Sequence, residues 1–305
     1  MKVLLATDKP FAAPAVEKIK NTIEGAEFTF ETLEKYTEKS QLLNAVKDAN
    51  AIIIRSDIID EEVIKHAPHL KIVVRAGAGY DNVDLTAATA HNVCVMNTPG
   101  QNANAVAELV FGMLLYQQRN HFNGSTGTEL KGKKLGIHAY GNVGRNVARI
   151  AKSFGMEVFA FDPYAPAEIM EKDGVTVLHS ADELYTVCDM VSLHIPATSE
   201  TKKSINYALL DKMPKGAVLV NTARKEVINE EEIVKLMESR PDFKYLTDIL
   251  PTNHAEMQEK FPTRYFSTPK KAGAQTAEAN FNAGVAAAEQ IVGFLKNGVE
   301  RFRVN

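Results

Sequence analysis

KKLGIHAYGNVGRNVARIAKSFGMEVFAFD, residues 133–162, decides the fold. An apolar run enters Ala139-Tyr140-Gly141-Asn142-Val143-Gly144, an amphipathic helical pattern follows, and a second apolar run ends on Asp162. Strand, turn, helix and strand in this order form the unit that binds a dinucleotide, with Ala139 standing where the first glycine of the fingerprint is expected. Gly141 lets the backbone approach a pyrophosphate, Gly144 lets helix pack closely on strand, and the first N–H groups of the helix face the anion. Asp162 follows Ala139 by 23 residues, the spacing of a carboxylate that accepts from the adenosine ribose. Its charge repels a 2′-phosphate, so the stretch predicts NAD over NADP.

The same alternation extends to both sides. Short, nearly continuous apolar runs at 2–7, 27–31, 51–56, 71–76, 94–97, 133–139, 157–162, 175–179, 190–195, 217–222, 245–250 and 265–268 read as strands covered on both faces. Helical patterns separate them, among them 12–22, 84–91, 144–154 and 230–239. Alternating β and α predicts doubly wound parallel sheets, and twelve strands are too many for one. Two long helical patterns, 101–120 and 276–297, are the expected crossings. The α/β fold class is therefore two doubly wound domains, a Rossmann nucleotide domain at 99–280 inserted into a flavodoxin-like substrate domain at 1–98 plus 281–305.

Composition narrows the function classes. The 305 residues are 45% apolar and 24% charged, an ordinary globular balance. Lys and Arg number 35 against 38 Asp and Glu, so the net charge of −3 argues against nucleic acid as a partner. Two distant cysteines, Cys94 and Cys188, suggest neither a disulfide framework nor a zinc site and fit a reducing, cytoplasmic setting. The apolar start MKVLLAT is cut short by Asp8 and Lys9, and no later run reaches the ~20 residues that span a bilayer, so no membrane partner is expected.

Further clusters sit at predicted strand ends, where open α/β sheets bind ligands. Arg55-Ser56 ends one strand, and Arg75-Ala76-Gly77-Ala78-Gly79 ends another, its glycines exposing backbone N–H groups as a nest for a carboxylate. Asn221-Thr222-Ala223-Arg224 delivers an arginine, and Asp248 can accept from a carboxamide. GTELKGKK (127–134) imitates a phosphate loop, but Lys134 replaces the magnesium-holding hydroxyl and the segment precedes its strand, so it reads as a solvated loop. His66 and His69 flank Pro68 and are expected at the surface, and His138 is expected to pack.

Taken together, IIIRS (52–56), VRAGAGYDNVDL (74–85), MNTPGQNANAVAEL (96–109), VSLHIPATSET (191–201), NTARKEVIN (221–229) and DILPTN (248–253) resemble the D-2-hydroxyacid dehydrogenase family. Within it the resemblance is to the branch that oxidises D-3-phosphoglycerate with NAD at the entry to serine synthesis, without the regulatory C-terminal domains of longer relatives. The resemblance implies that Arg224 binds the 2-hydroxy acid and that Asp248 holds the nicotinamide carboxamide. Asn142 and Val143 would lie beneath the pyrophosphate, with Tyr140 and Gly141 also at the cofactor. His194, Ile195, Pro196, Thr201, Thr222, Ala223 and Gly273 would line the cofactor, and Arg55, Ser56, Arg75, Ala76, Gly77 and Asn102 would meet substrate phosphate and carboxylate. A homodimer is implied, consistent with the apolar richness of the pattern from Gln101.

One pair departs from the family. The usual Glu–His relay is replaced by Asn253 and, after Thr268-Pro269, by Lys270. A lysine starts near ~10.4 and must lose several units to act as a base at neutral pH. A glutamate beside it would hold the ammonium charged, whereas neutral Asn253 does not, and Arg224 nearby disfavours the charge. Lys270 is therefore the expected proton acceptor, also lining the cofactor, with His254 the alternative and loss of catalysis in a nucleotide-binding protein the third reading.

Overall fold

A computed structural model describes residues 1–305, which divide into two compact units, Met1–Asn102 with Thr276–Asn305, and Ala103–Gln275. The boundaries fall at the first turns of the two long helices, not at 98 and 280, because the chain changes unit where each helix begins.

The first unit opens with β1 (Lys2–Thr7), α1 (Ala13–Glu24), β2 (Thr29–Glu34), α2 (Lys39–Ala45) and β3 (Ala51–Ile54). It continues with α3 (Glu61–Lys65), β4 (Ile72–Arg75), α4 (Leu85–Ala90) and β5 (Cys94–Asn97). All five strands pair in parallel in the order β2-β1-β3-β4-β5, the flavodoxin-like order. Successive residues of β1 bury opposite faces, Val3 and Leu5 on one side and Leu4 and Ala6 on the other. The predicted strand 27–31 is displaced to 29–34 because this polar edge strand is placed by its register on β1, Lys2 opposite Thr29 and Thr7 opposite Glu34.

The second unit begins with α5 (Ala103–Gln118), then β6 (Lys134–His138), α6 (Asn142–Ser153), β7 (Glu157–Phe161), α7 (Ala167–Lys172) and β8 (Thr176–Val177). There follow α8 (Ala181–Val187), β9 (Met190–Leu193), α9 (Tyr207–Leu210) and β10 (Val218–Asn221). The unit closes with α10 (Glu230–Ser239), β11 (Lys244–Thr247), α11 (His254–Lys260) and β12 (Tyr265–Ser267). The seven parallel strands are ordered β12-β11-β10-β9-β6-β7-β8, so the order reverses between β6 and β9, where nucleotides bind. The predicted strand 175–179 shrinks to two residues at the sheet edge. The apolar surplus of α5 is consumed within its own unit: Val106, Val110, Phe111, Met113 and Leu114 are buried, and Phe111 stacks on Phe154 at 5.2 Å.

The last helix, α12 (Ala277–Asn297), packs Ala283, Ala287 and Ile291 against Ala15, Ile19 and Ile23 of α1 in the first unit. The tail then lies antiparallel along β5, with the Val304 N–H donating to the Val95 carbonyl at 2.9 Å, and so covers that open edge. No helix is long and apolar enough to cross a membrane.

Candidate active site

At the carboxyl end of β6 the chain turns at Ala139, whose φ of 80° lies in the left-handed region that favours glycine. A Cβ on Gly144 would lie 2.4 Å from the Ala139 carbonyl oxygen, so the turn can pass beneath α6 only with glycine there. Gly141 caps α6 without a side-chain hydrogen bond, which leaves the first helical N–H groups without an intrahelical acceptor. The Tyr140 N–H donates to Asp162 Oδ2 at 2.7 Å, and the Tyr164 and Ala165 N–H groups donate to Oδ1. A lone pair on Oδ2 is left for a hydroxyl donor. Ala139→Gly is expected to raise the stability of the unit by about 0.5–1 kcal/mol, since relief of the left-handed alanine outweighs the added unfolded-state entropy. Denaturant midpoints of the two proteins check this; a lower midpoint would contradict the strained-turn reading.

The same edge gathers residues from the ends of four adjacent strands. After β10, Asn221 Oδ1 accepts from the Ala223 N–H and its amide donates to the Arg224 carbonyl, a turn that fixes the arginine's backbone. The half-buried Arg224 guanidinium donates only to the Ala223 carbonyl. After β11, Asp248 is buried and takes three donors: Thr268 Oγ1 at 2.8 Å, the Ala272 N–H at 2.7 Å and the Gly273 N–H at 2.8 Å. Asp248 thereby holds both ends of the loop that carries Lys270. Lys270 itself is exposed and its ammonium makes no hydrogen bond or ion pair. Asn253 donates to the Glu230 carbonyl while its Oδ1 is buried without a partner, and His254 Nδ1 shares a 2.8 Å hydrogen bond with Tyr265 Oη. After β9, Thr201 Oγ1 donates to the Pro196 carbonyl and accepts from the Thr198 N–H, closing the loop that follows His194 and the buried Ile195.

In the other unit, Arg55 stands where the strand order reverses between β1 and β3. Its guanidinium donates to the Lys9 and Pro10 carbonyls and to Asn280 Oδ1 and lies 5.0 Å over the Phe11 ring. Every hydrogen-bond acceptor is neutral. Burial pulls the guanidinium's pKa down, against the opposing pull of Asp57 and Asp8. Arg75 Nε and Asn82 Nδ2 both donate to the Arg55 carbonyl. Gly77, with φ 148°, makes room for Arg75: a Cβ there would fall 1.6 Å from Nη1. Ala76 is buried, Ser56 Oγ reaches Asp8 at 3.4 Å, and Asn102 is half-buried at the unit's boundary.

Comparison with known proteins places this geometry. The model of the D-isomer specific 2-hydroxyacid dehydrogenase NAD-binding domain matches residues 105–270, just over half of the chain. The chain belongs to this family. A D-3-phosphoglycerate dehydrogenase of Methanocaldococcus jannaschii is 34% identical, over 88% of this chain and 54% of its own length. A hydroxypyruvate reductase of Thermotoga maritima is 32% identical, over 86% of this chain and 90% of its own. The NAD+-bound crystal structure of 3-phosphoglycerate dehydrogenase in Entamoeba histolytica is 45% identical with a TM-score of 0.89, covering 100% of this chain and 98% of that one. The chain spans about half the length of several curated relatives that it matches.

NAD is the cofactor of the family's domain, and the residues present here fit it. A Cβ on Gly141 would meet nothing within 4 Å, so the turn faces open space beside unpaired helical N–H groups, and Thr222 Oγ1 is a buried polar atom without a partner at the same sheet edge. Motif reasoning on this family member passed over several residues. Asp57, buried, accepts from the Asp8 N–H, Tyr36 Oη and the Arg55 N–H, and so ties together the ends of β1, β2 and β3. Asn82 secures the glycine-rich loop by donating to the Asp57 carbonyl at 2.6 Å. Asp57 directly follows the apolar run 51–56, whereas Asn82 lies in the loop between β4 and α4, where no pattern in the sequence marks it.

His138 packs as expected and adds a 3.2 Å hydrogen bond to Tyr185. Burial lowers its pKa to about 4, against an opposing pull from Asp162, and burial lowers that of His194 to about 3. An unfolded histidine takes its proton near ~6.5, so below that pH the unfolded state binds more protons and stability falls as pH falls. Each histidine is expected to cost about 1.4 kcal/mol per pH unit between pH 6.5 and its folded pKa. Urea titrations at pH 6.5 and 4.5 measure this. His138→Phe should flatten the dependence by about one proton, and an unchanged slope would overturn the assignment.

Proposed function

We propose that the chain oxidises D-3-phosphoglycerate to 3-phosphohydroxypyruvate, the entry to serine biosynthesis, by loss of a hydride from C2. Arg55 carries this reading: a guanidinium held at a sheet's switch point by neutral oxygens alone retains its attraction for a phosphate. NAD, when bound, supplies the hydride acceptor. Gly141, Asn142, Val143 and Asp162 are the proposed cofactor ligands, with Tyr140, His194, Ile195, Pro196, Thr201, Thr222, Ala223, Asp248 and Gly273 lining it. Arg224, which has no carboxylate partner, binds the acid and draws electron density from the forming carbonyl. Lys270 takes the C2 hydroxyl proton when its amine is neutral. Asn253, where the relay's glutamate is expected, adds no negative charge that would hold the ammonium. Arg55, Ser56, Arg75, Ala76, Gly77 and Asn102 take the phosphate and carboxylate.

The test is NADH-linked reduction of 3-phosphohydroxypyruvate against hydroxypyruvate and glyoxylate. A site built for a phosphate should prefer the phosphorylated acid by about 10²-fold or more in kcat/KM. Hydroxypyruvate reduction at equal or higher efficiency would select the second reading, which the Thermotoga maritima relative favours. No turnover with any of the three would leave a nucleotide-sensing protein. A homodimer is the proposed assembly, supported by Phe122, which is 67% exposed beside Tyr116; sedimentation at the mass of a single 33.5 kDa chain would remove it.

A further inference from the structure

Beyond the cofactor turn, the outer flank of α6 borders a recess of about 540 Å³. Its walls carry Arg145, Arg149 and Lys152 from α6, Lys172 at the end of α7 and Asp173, and one end of it reaches Tyr140 and Asn142 of the cofactor turn. The three α6 cations are spaced four and three residues apart, so they share one face of the helix. At 1.5 Å per residue they stand roughly 5 to 15 Å along the helix from Asn142, so the row starts in the first turn and runs away from the end that faces the pyrophosphate.

Four cations meet one carboxylate. Arg145 Nε pairs with Asp173 Oδ2 at 3.1 Å, and Tyr140 Oη donates to the same oxygen at 3.1 Å. The remaining contacts are neutral: Lys152 donates to the Asp173 carbonyl, and Arg149 Nη2 donates to Asn104 Oδ1 at 2.6 Å and Asn146 Oδ1 at 3.3 Å. Lys172 is exposed and has no partner. No aspartate or glutamate occurs within α6, whereas a solvated helix face usually intersperses both signs. A local excess of three positive charges thus lines one concavity of a chain whose net charge is −3. The arginine forks and the ammonium groups suit phosphate oxygens, and the size suits a small molecule.

We propose that this recess binds a compact polyanion carrying two or more phosphate groups, along the α6 flank beyond Tyr140 and Asn142, which it shares with the cofactor turn. The probe is inorganic tripolyphosphate, titrated calorimetrically into the full chain held saturated with NADH so that the cofactor's own phosphate site is filled. One equivalent is expected to bind, and the double variant Arg149→Glu, Lys172→Glu should weaken it by about 10-fold or more while leaving NADH affinity unchanged. Both side chains are exposed, so the variant keeps the fold, and circular dichroism verifies it. Absence of binding up to millimolar tripolyphosphate, or equal binding by the double variant, overturns the proposal.

Discussion

Lys270→Met is expected to lower kcat by about 10²–10⁴-fold, the usual yield of a positioned acid–base group, with KM for NAD little changed. The loop carrying Lys270 follows β12, beside β11, and the carboxylate after β11, Asp248, is taken up by the Thr268 hydroxyl and two backbone N–H groups. Glu230, at the start of α10, is occupied by the Thr252 N–H at 3.0 and 3.2 Å. The competing base, His254, has Nδ1 engaged by Tyr265, so His254→Gln should disturb packing more than turnover and cost less than about 10-fold. Rates measured for both variants in both directions separate the candidates. Near-native turnover of Lys270→Met, with a collapse in His254→Gln, would transfer the role to the histidine.

Asp248→Ala is the second large effect, and it reaches stability and turnover together. Removing a buried carboxylate strands the Thr268 hydroxyl and two backbone N–H groups, at a cost of about 3–5 kcal/mol. For a unit of this size that lowers the melting temperature by roughly 10 °C. Below that temperature the unmoored loop no longer holds Lys270 in place, and kcat should fall by about 10²-fold or more, as displacements near 1 Å do. Thermal unfolding followed by assays well under the transition measures each part. Native turnover in a folded Asp248→Ala protein would show that the loop keeps its geometry without this anchor.

Much of the fold was legible because its signals are local. Ten of the twelve strands stand where an apolar run predicts one, since strands covered on two faces leave nearly continuous hydrophobic stretches. The exceptions are instructive. β2 shifted and β8 shrank because edge strands are half-exposed, so their extent follows pairing partners and not composition. Short helices such as α3 and α9 offer too few turns for a period to emerge. For the candidate site, the sequence named Asp248 as a cofactor ligand, and the structure adds that it anchors a loop 20 to 25 residues away.

The sequence by itself determined the alternation of strand and helix, the family and the dinucleotide turn, since each depends on residue types at fixed short spacings. Only the tertiary structure decided that Ala139 adopts a left-handed backbone, that Asp57 ties three strand ends, and that four cations from two helices share one recess. Those properties arise from which distant segments are neighbours in the sheets, and hydrogen bonds and fields act through space over a few ångströms, whatever separates the residues along the chain.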